Sequence, residues 1–164
     1  MAQSWSKEDL LAELRSTRRQ WELMLLDVDG ARLSRNVAVG DWSVKGVLYH
    51  ATRYAGLLVQ AFEAHARGQP PPPDVLARPA IDERNAEHFR ASELRTLGDV
   101  IAESRRVFDR LITLAELQPE SFLTEPQRFQ GVGEDVVVGR NLLDVCNHYR
   151  AHMLDLRAGN VSKS

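Results

Sequence analysis

The stretch Asn141–Gly159 reads NLLDVCNHYRAHMLDLRAG, and the rest of the chain is best read outward from it. Leu142, Val145, Tyr149, His152, Met153 and Leu156 recur at intervals of three and four, the period of one apolar helix face. The spacing predicts a helix over 141–157, closed by Gly159-Asn160. His148 and His152 stand four apart, one turn from each other on the same side. Two imidazoles so placed can bind one metal ion together, but a tight site needs a third ligand. The best donor is His50, which sits inside the apolar pattern of another long helix. By itself the H-x3-H spacing is weak evidence. A core-edge histidine pair held by hydrogen bonds is the commoner explanation of such a pattern.

Three further long helices are expected. Leu10, Leu14, Thr17, Trp21, Leu25 and Val28 form an amphipathic stripe, predicting a helix over 7–28. Ser6 and Asp9 resemble a capping box at its start, and Asp29-Gly30 signals its end. The run from Val44 to Phe62 has a broad apolar face that includes Val47, Leu48, Ala51, Ala55 and Leu58, predicting a helix over 43–67. Asp41 or Ser43 can cap it. Gly46 and Gly56 lie inside it, where each lowers propensity and permits close approach. Thr96 with Asp99 is a second capping box, and Val100, Ser104, Phe108, Leu111 and Ala115 continue into a helix over 97–117. It must stop before Pro119.

The connections are informative too. Ala31–Gly40 reads as irregular, with at most a short extended piece at Val37–Val39. Pro70–Pro73 are four consecutive prolines that no helix can cross, read as a stiff surface crossover. Ile81–Arg90 reads as a short charged helix against the bundle or at its edge, with a break near Glu93–Arg95. Gln118–Gly139 is long for a connection, either a lid or specificity element or an ordered surface loop. Repeats, sustained heptads and βαβ alternation are absent from the sequence. The expectation is a single all-α domain, 1–164, folded as a four-helix bundle with a long crossover between the second and third principal helices.

Composition narrows the function classes. A formal net charge of -2, from 21 basic and 23 acidic residues, gives no general attraction to nucleic acid or an anionic membrane. The expected partners therefore include neither. No apolar run approaches membrane-spanning length, and the N-terminus carries no signal-peptide pattern, so a cytoplasmic location is the default. Cys146 is the only cysteine and excludes an intrachain disulfide. Two residues before His148, it reads as a core residue rather than a ligand or nucleophile. H-E-x-x-H, C-x2-C, diiron E-x-x-H, phosphate-loop and nucleophile-elbow patterns are all missing. Polar groups available around the histidines are Asp144, Asp155, Asn147, Tyr49, Tyr54, Tyr149, Glu83 and Asn85. His65 and His88 read as solvated.

Three segments, WSVKGVLYH at Trp42–His50, IDERNAEHF at Ile81–Phe89 and the Asn141–Gly159 helix, resemble the DinB-like superfamily in order and separation. The likeness is to its branch of DfsB-type and colibactin self-resistance proteins. The resemblance implies an up-down-down-up course. It implies a divalent metal, zinc or nickel, held by His50, His148 and His152. It also implies homodimers and, in some relatives, a low-molecular-weight thiol as co-substrate. Asn85, in the family-like D-x-x-N element Asp82–Asn85, becomes a candidate pocket residue, with Tyr54 and Tyr149 as candidate catalytic groups. The function so implied is a metal-dependent hydrolase or thiol transferase acting on a small electrophilic metabolite. The alternatives are a metal-independent binding or self-resistance protein, or a structural homodimer with a vestigial site.

Overall fold

Local hydrogen bonds fix where the helices begin. The Ser6 amide donates to Asp9 Oδ2 (3.0 Å) and the Asp9 amide returns to Ser6 Oγ (3.1 Å), so both capping-box groups are used. That starts α1, Lys7–Asp27. Ser43 Oγ accepts from the Gly46 amide at 3.0 Å and starts α2, Val44–Ala66. Of the two caps weighed for this helix, Ser43 serves. A short α3, Ile81–Glu93, precedes α4, Leu97–Leu117, which is capped by Thr96 Oγ1 accepting from the Asp99 amide. A five-residue α5, Glu120–Thr124, leads to α6, Val138–Val161. The computed structural model describes residues 5–27, 42–72 and 81–161. The expected irregular stretch at Ala31–Gly40 lies outside them, as does Pro73. Gln69–Pro72, which opens the proline run, is non-helical.

Contacts between helix pairs give the course of the bundle. Lys45 Nζ donates to the Arg95 carbonyl (2.9 Å), and Glu63 meets Arg110 (3.1 Å), so α2 and α4 run parallel. Arg15 pairs with Glu116 and Arg105 with Glu22, so α1 and α4 run antiparallel. Leu10 faces Gly139, and the Trp21 ring lies 4.6 Å from that of Tyr149, which sets α6 parallel to α1. The order is up-down-down-up, and the parallel α2–α4 pair is the one that requires a long crossover. Within that crossover α3 lies back along α2.

The core sits where three aromatic rings interlock. Tyr149 packs against Trp21 and, at 5.0 Å and near-perpendicular, against Phe108, joining α6 to α1 and α4. Leu14, Leu48, Leu111, Leu123 and Leu142 fill the space around them. The 118–139 connection is more ordered than a plain loop. Besides α5 it holds one antiparallel bridge, Gln127 with Val136 (2.8 and 2.9 Å), near the extended piece expected at Glu134–Val138. α6 starts a turn before Asn141, because Gly139 lets the chain pass close under α5 and α1. A Cβ there would lie 2.8 Å from the Leu123 carbonyl oxygen and 2.9 Å from Leu10 Cδ1. The carbonyl belongs to backbone and cannot swing away. Gly139→Ala is therefore expected to destabilise the fold by about 1–3 kcal/mol, read as a lower denaturant midpoint. Gly133→Ala, with open space around it, is the control and should stay within about 0.5 kcal/mol.

Candidate metal centre

The antiparallel pairing of α2 with α6 brings three histidines together. His50 enters from α2; His148 and His152 enter from successive turns of α6. Each offers a nitrogen, and these nitrogens all lie within 4.8 Å of one another. Ring centroids are 4.5 Å apart for His148–His152, 4.9 Å for His50–His148 and 5.1 Å for His50–His152. Nitrogens on a tetrahedral zinc ion at 2.0–2.1 Å would be separated by about 3.3 Å, so small side-chain movements would close the set. Among the described residues this is the group of histidine, cysteine and carboxylate side chains arranged to hold an ion. The cluster is capable of coordinating a divalent metal.

The surroundings strengthen the fit. His148 Nε2 and both ring nitrogens of His152 are buried without a hydrogen-bond partner. Buried polar atoms are rarely left so, and an orphaned lone pair costs free energy unless something binds it. Asp155 stands 3.5 Å from His152 Nδ1, too far for a good hydrogen bond. Tyr54, one turn after His50 on α2, stacks on the His148 ring at 4.2 Å and 26°. Trp42 meets His50 edge-on at 5.5 Å. These aromatic neighbours restrict how the imidazoles turn.

Burial holds the imidazoles neutral, the form in which they ligate. Desolvation, reinforced by the neighbouring His148 and His152, pushes His50 from 6.5 down to about 3. Desolvation and His152 push His148 down to about 4. His152 is lowered too, chiefly by burial, with Asp155 pulling the other way.

The remaining sequence candidates fall in different places. Tyr149 is fully buried in the aromatic core, its hydroxyl turned toward Thr52 and Ser104 without a hydrogen bond of good geometry. Burial pushes its ionisation well above the usual tyrosine value. Asn85 is half-buried on α3, one turn before His88. Asp144 and Asn147 are exposed, and Cys146 is buried with its thiol pushed up by desolvation. His65 is exposed, beside Phe122 and Phe129.

His88, read from the sequence as solvated, is half-buried instead. Its Nδ1 lies 3.2 Å from His50 Nδ1. The signal was present in IDERNAEHF: His88 lies one turn from Ser92 and beside Phe89, on the side of α3 that turns inward. The charge of the segment masked it. Beyond His88, a cavity of about 390 Å³ opens between α2 and α3, lined by Tyr49, Arg53, Leu57, Arg84 and Glu87 among others. A second cavity of about 410 Å³ lies under the 126–137 connection, against Leu58, Phe62, Phe122 and Phe129.

Comparison with known proteins agrees with this architecture. An uncharacterised protein of Escherichia coli UTI89 superposes with a TM-score of 0.77 at 14% identity, covering 93% of this chain and 91% of that one. The colibactin self-resistance protein ClbS, solved in complex with double-stranded DNA, gives 0.76 at 14% identity with 96% of both chains covered. A Streptococcus pneumoniae protein gives 0.72 at 14%, covering 96% and 92%. At that identity the likeness shows a shared DinB-like fold. No curated protein matches the chain in sequence.

The ClbS structure corrects one expectation. Nucleic acid was set aside on charge balance, yet this fold occurs on duplex DNA. Net charge is a property of the whole chain, whereas phosphate contacts are made by local groups. A net charge of -2 therefore excludes no such partner. Separately, no helix among the described residues is long and apolar enough to cross a membrane.

The neutral histidines make a stability prediction for chelator-treated protein. In the unfolded chain they titrate near 6.5; in the folded chain they stay neutral to lower pH. Between those limits the unfolded state binds more protons, so stability is full above about pH 6.5 and falls as pH is lowered. The denaturant midpoint should drop between pH 7.5 and pH 5.0, and His148→Asn should flatten that drop. A midpoint constant across the range would contradict the buried neutral cluster.

The family itself is given by residues 8–151, which match the mycothiol maleylpyruvate isomerase N-terminal domain, and the chain belongs to that family.

Proposed function

We propose that this protein is a divalent-metal-dependent enzyme that joins a low-molecular-weight thiol, or water, to a small electrophilic molecule. The observation that carries the reading is the trio of His50, buried, with His148 and His152, partly buried, three of whose nitrogens have no hydrogen-bond partner. A neutral three-nitrogen set suits zinc or nickel and leaves coordination positions open to other groups. When bound, the ion supplies a Lewis acid and lowers the pKa of a thiol or water held against it. The family's name supports a thiol as the co-substrate. In the transfer, the thiol sulfur bonds to the electrophilic carbon as that carbon's π bond or ring C–O bond opens, and the carbanion or alkoxide so formed takes up a proton in place of the one the thiol releases.

The chain's own residues have simpler tasks in this reading. His50, His148 and His152 hold the ion. Tyr54 keeps the His148 ring in place through its stacked face. The cavity between α2 and α3 is of a size that accepts a small molecule, and His88, which lines it, contacts His50. Asn85, half-buried one turn before His88, does not line that cavity. Tyr149, sealed in the core, receives no substrate contact.

Purified protein titrated with zinc or nickel should take up about one ion per chain. His148→Ala should weaken that uptake at least roughly tenfold while the helix content stays constant. Thiol addition to an activated alkene or epoxide should stop on chelation and return with metal. Absence of stoichiometric binding, or a His148→Ala variant that binds as wild type does, would sink the proposal. Turnover with water alone would assign the hydrolase form over the thiol transferase.

A further inference from the structure

His88 stands outside the three-histidine group yet touches it. Its ring centroid is 5.4 Å from that of His50, and the two Nδ1 atoms face each other at 3.2 Å. Such a contact is a hydrogen bond only when one nitrogen carries the proton and the other offers its lone pair. The two assignments have opposite consequences. If His88 donates, a neutral His50 keeps its proton on Nε2 and has no lone pair left for an ion. If His50 donates, its Nε2 is bare and ready to ligate.

We propose that His88 is a positioning residue of the metal centre: its Nδ1 accepts the Nδ1–H of His50 and so commits His50 Nε2 to the ion. This role rests on the metal-dependent reading above. Ligating histidines commonly give their other N–H to an acceptor that fixes ring and tautomer. Here the acceptor is another imidazole, delivered by a different helix.

The packing of α3 on α2 is built to place it. A Cβ at Gly46 would come within 3.2 Å of Phe89 Cδ2, so the glycine is what lets the α3 ring settle against α2. Phe89 also packs on Trp42 at 5.6 Å, and Ser92 Oγ donates to the Phe89 carbonyl at 2.7 Å. Tyr49 meets the His88 ring edge-on at 6.2 Å. His88 is thus held between Tyr49 and His50, consecutive residues of α2. The half-buried crossover helix becomes part of the site through one hydrogen bond.

The test compares wild type, His88→Asn and His88→Leu in competition titrations of zinc and in cobalt(II) absorption. Asn can place Oδ1 where His88 Nδ1 lies, whereas Leu fills space without accepting. His88→Leu should lose about 10–100-fold in zinc affinity, and His88→Asn should recover most of that loss. The cobalt spectrum should be the same in wild type and His88→Asn, because residue 88 is not a ligand. Nitrogen-15 histidine spectra of metal-free wild type should show His50 protonated on Nδ1 and His88 on Nε2; this readout does not depend on any variant folding. Zinc affinity unchanged in His88→Leu, no recovery in His88→Asn, a shifted cobalt spectrum in His88→Asn, or His50 protonated on Nε2 would each overturn the role while leaving the three-histidine centre standing. Failure of wild type to bind zinc or cobalt would overturn the metal reading and this role together.

Discussion

Four imidazoles packed side by side impose the main constraint on this bundle. Buried rings that close cannot all be charged, since each is desolvated and the charges would repel. They must be neutral, and their nitrogens must then find donors, acceptors or an ion. One contact, between His50 and His88, is met within the protein. The nitrogens of His152, with Nε2 of His148, have no hydrogen-bond partner, Asp155 standing 3.5 Å from His152 Nδ1. Three imidazoles so placed are capable of coordinating a divalent metal.

The bundle's course makes that convergence possible. Antiparallel α2 and α6 bring His50 opposite the two-histidine turn of α6. The parallel α2–α4 pair forces a long crossover, and the crossover supplies α3 with its fourth imidazole. The site is therefore built from three helices distant in sequence. On the other side of α6, Tyr149 locks against Trp21 and Phe108. Adjacent residues of α6 thus divide the labour: His148 faces the site while Tyr149 anchors the helix to the core. Rigid support of this kind keeps the imidazoles in their geometry.

Much of this was legible in the sequence. The capping boxes at Ser6–Asp9 and Thr96–Asp99 and the stop before Pro119 are local signals, and each acts through hydrogen bonds or steric limits within a few residues. The histidine pair of α6 was equally legible, because a four-residue spacing on a helix fixes a shared face. Less legible were the features set by approach between helices. The 118–139 stretch gave no clear account of α5 or the Gln127–Val136 bridge, since short elements depend on what they pack against. Tyr149 and His148 are neighbours in sequence, and nothing local says which of them points into the core.

The principal helices, the caps at Ser6, Ser43 and Thr96, the apolar faces and the pairing of His148 with His152 follow from the amino-acid order, because they depend on periodicity and near-neighbour bonds. His50 was already the third donor the sequence offered, and the bundle's packing brings it to that pair; that Tyr149 is sealed away and His88 is drawn in beside His50 emerges from the packing alone. Those outcomes depend on helix direction and on close approach at positions such as Gly46 and Gly139. Both are settled by packing across long sequence separations, where one missing Cβ governs which side chains can touch.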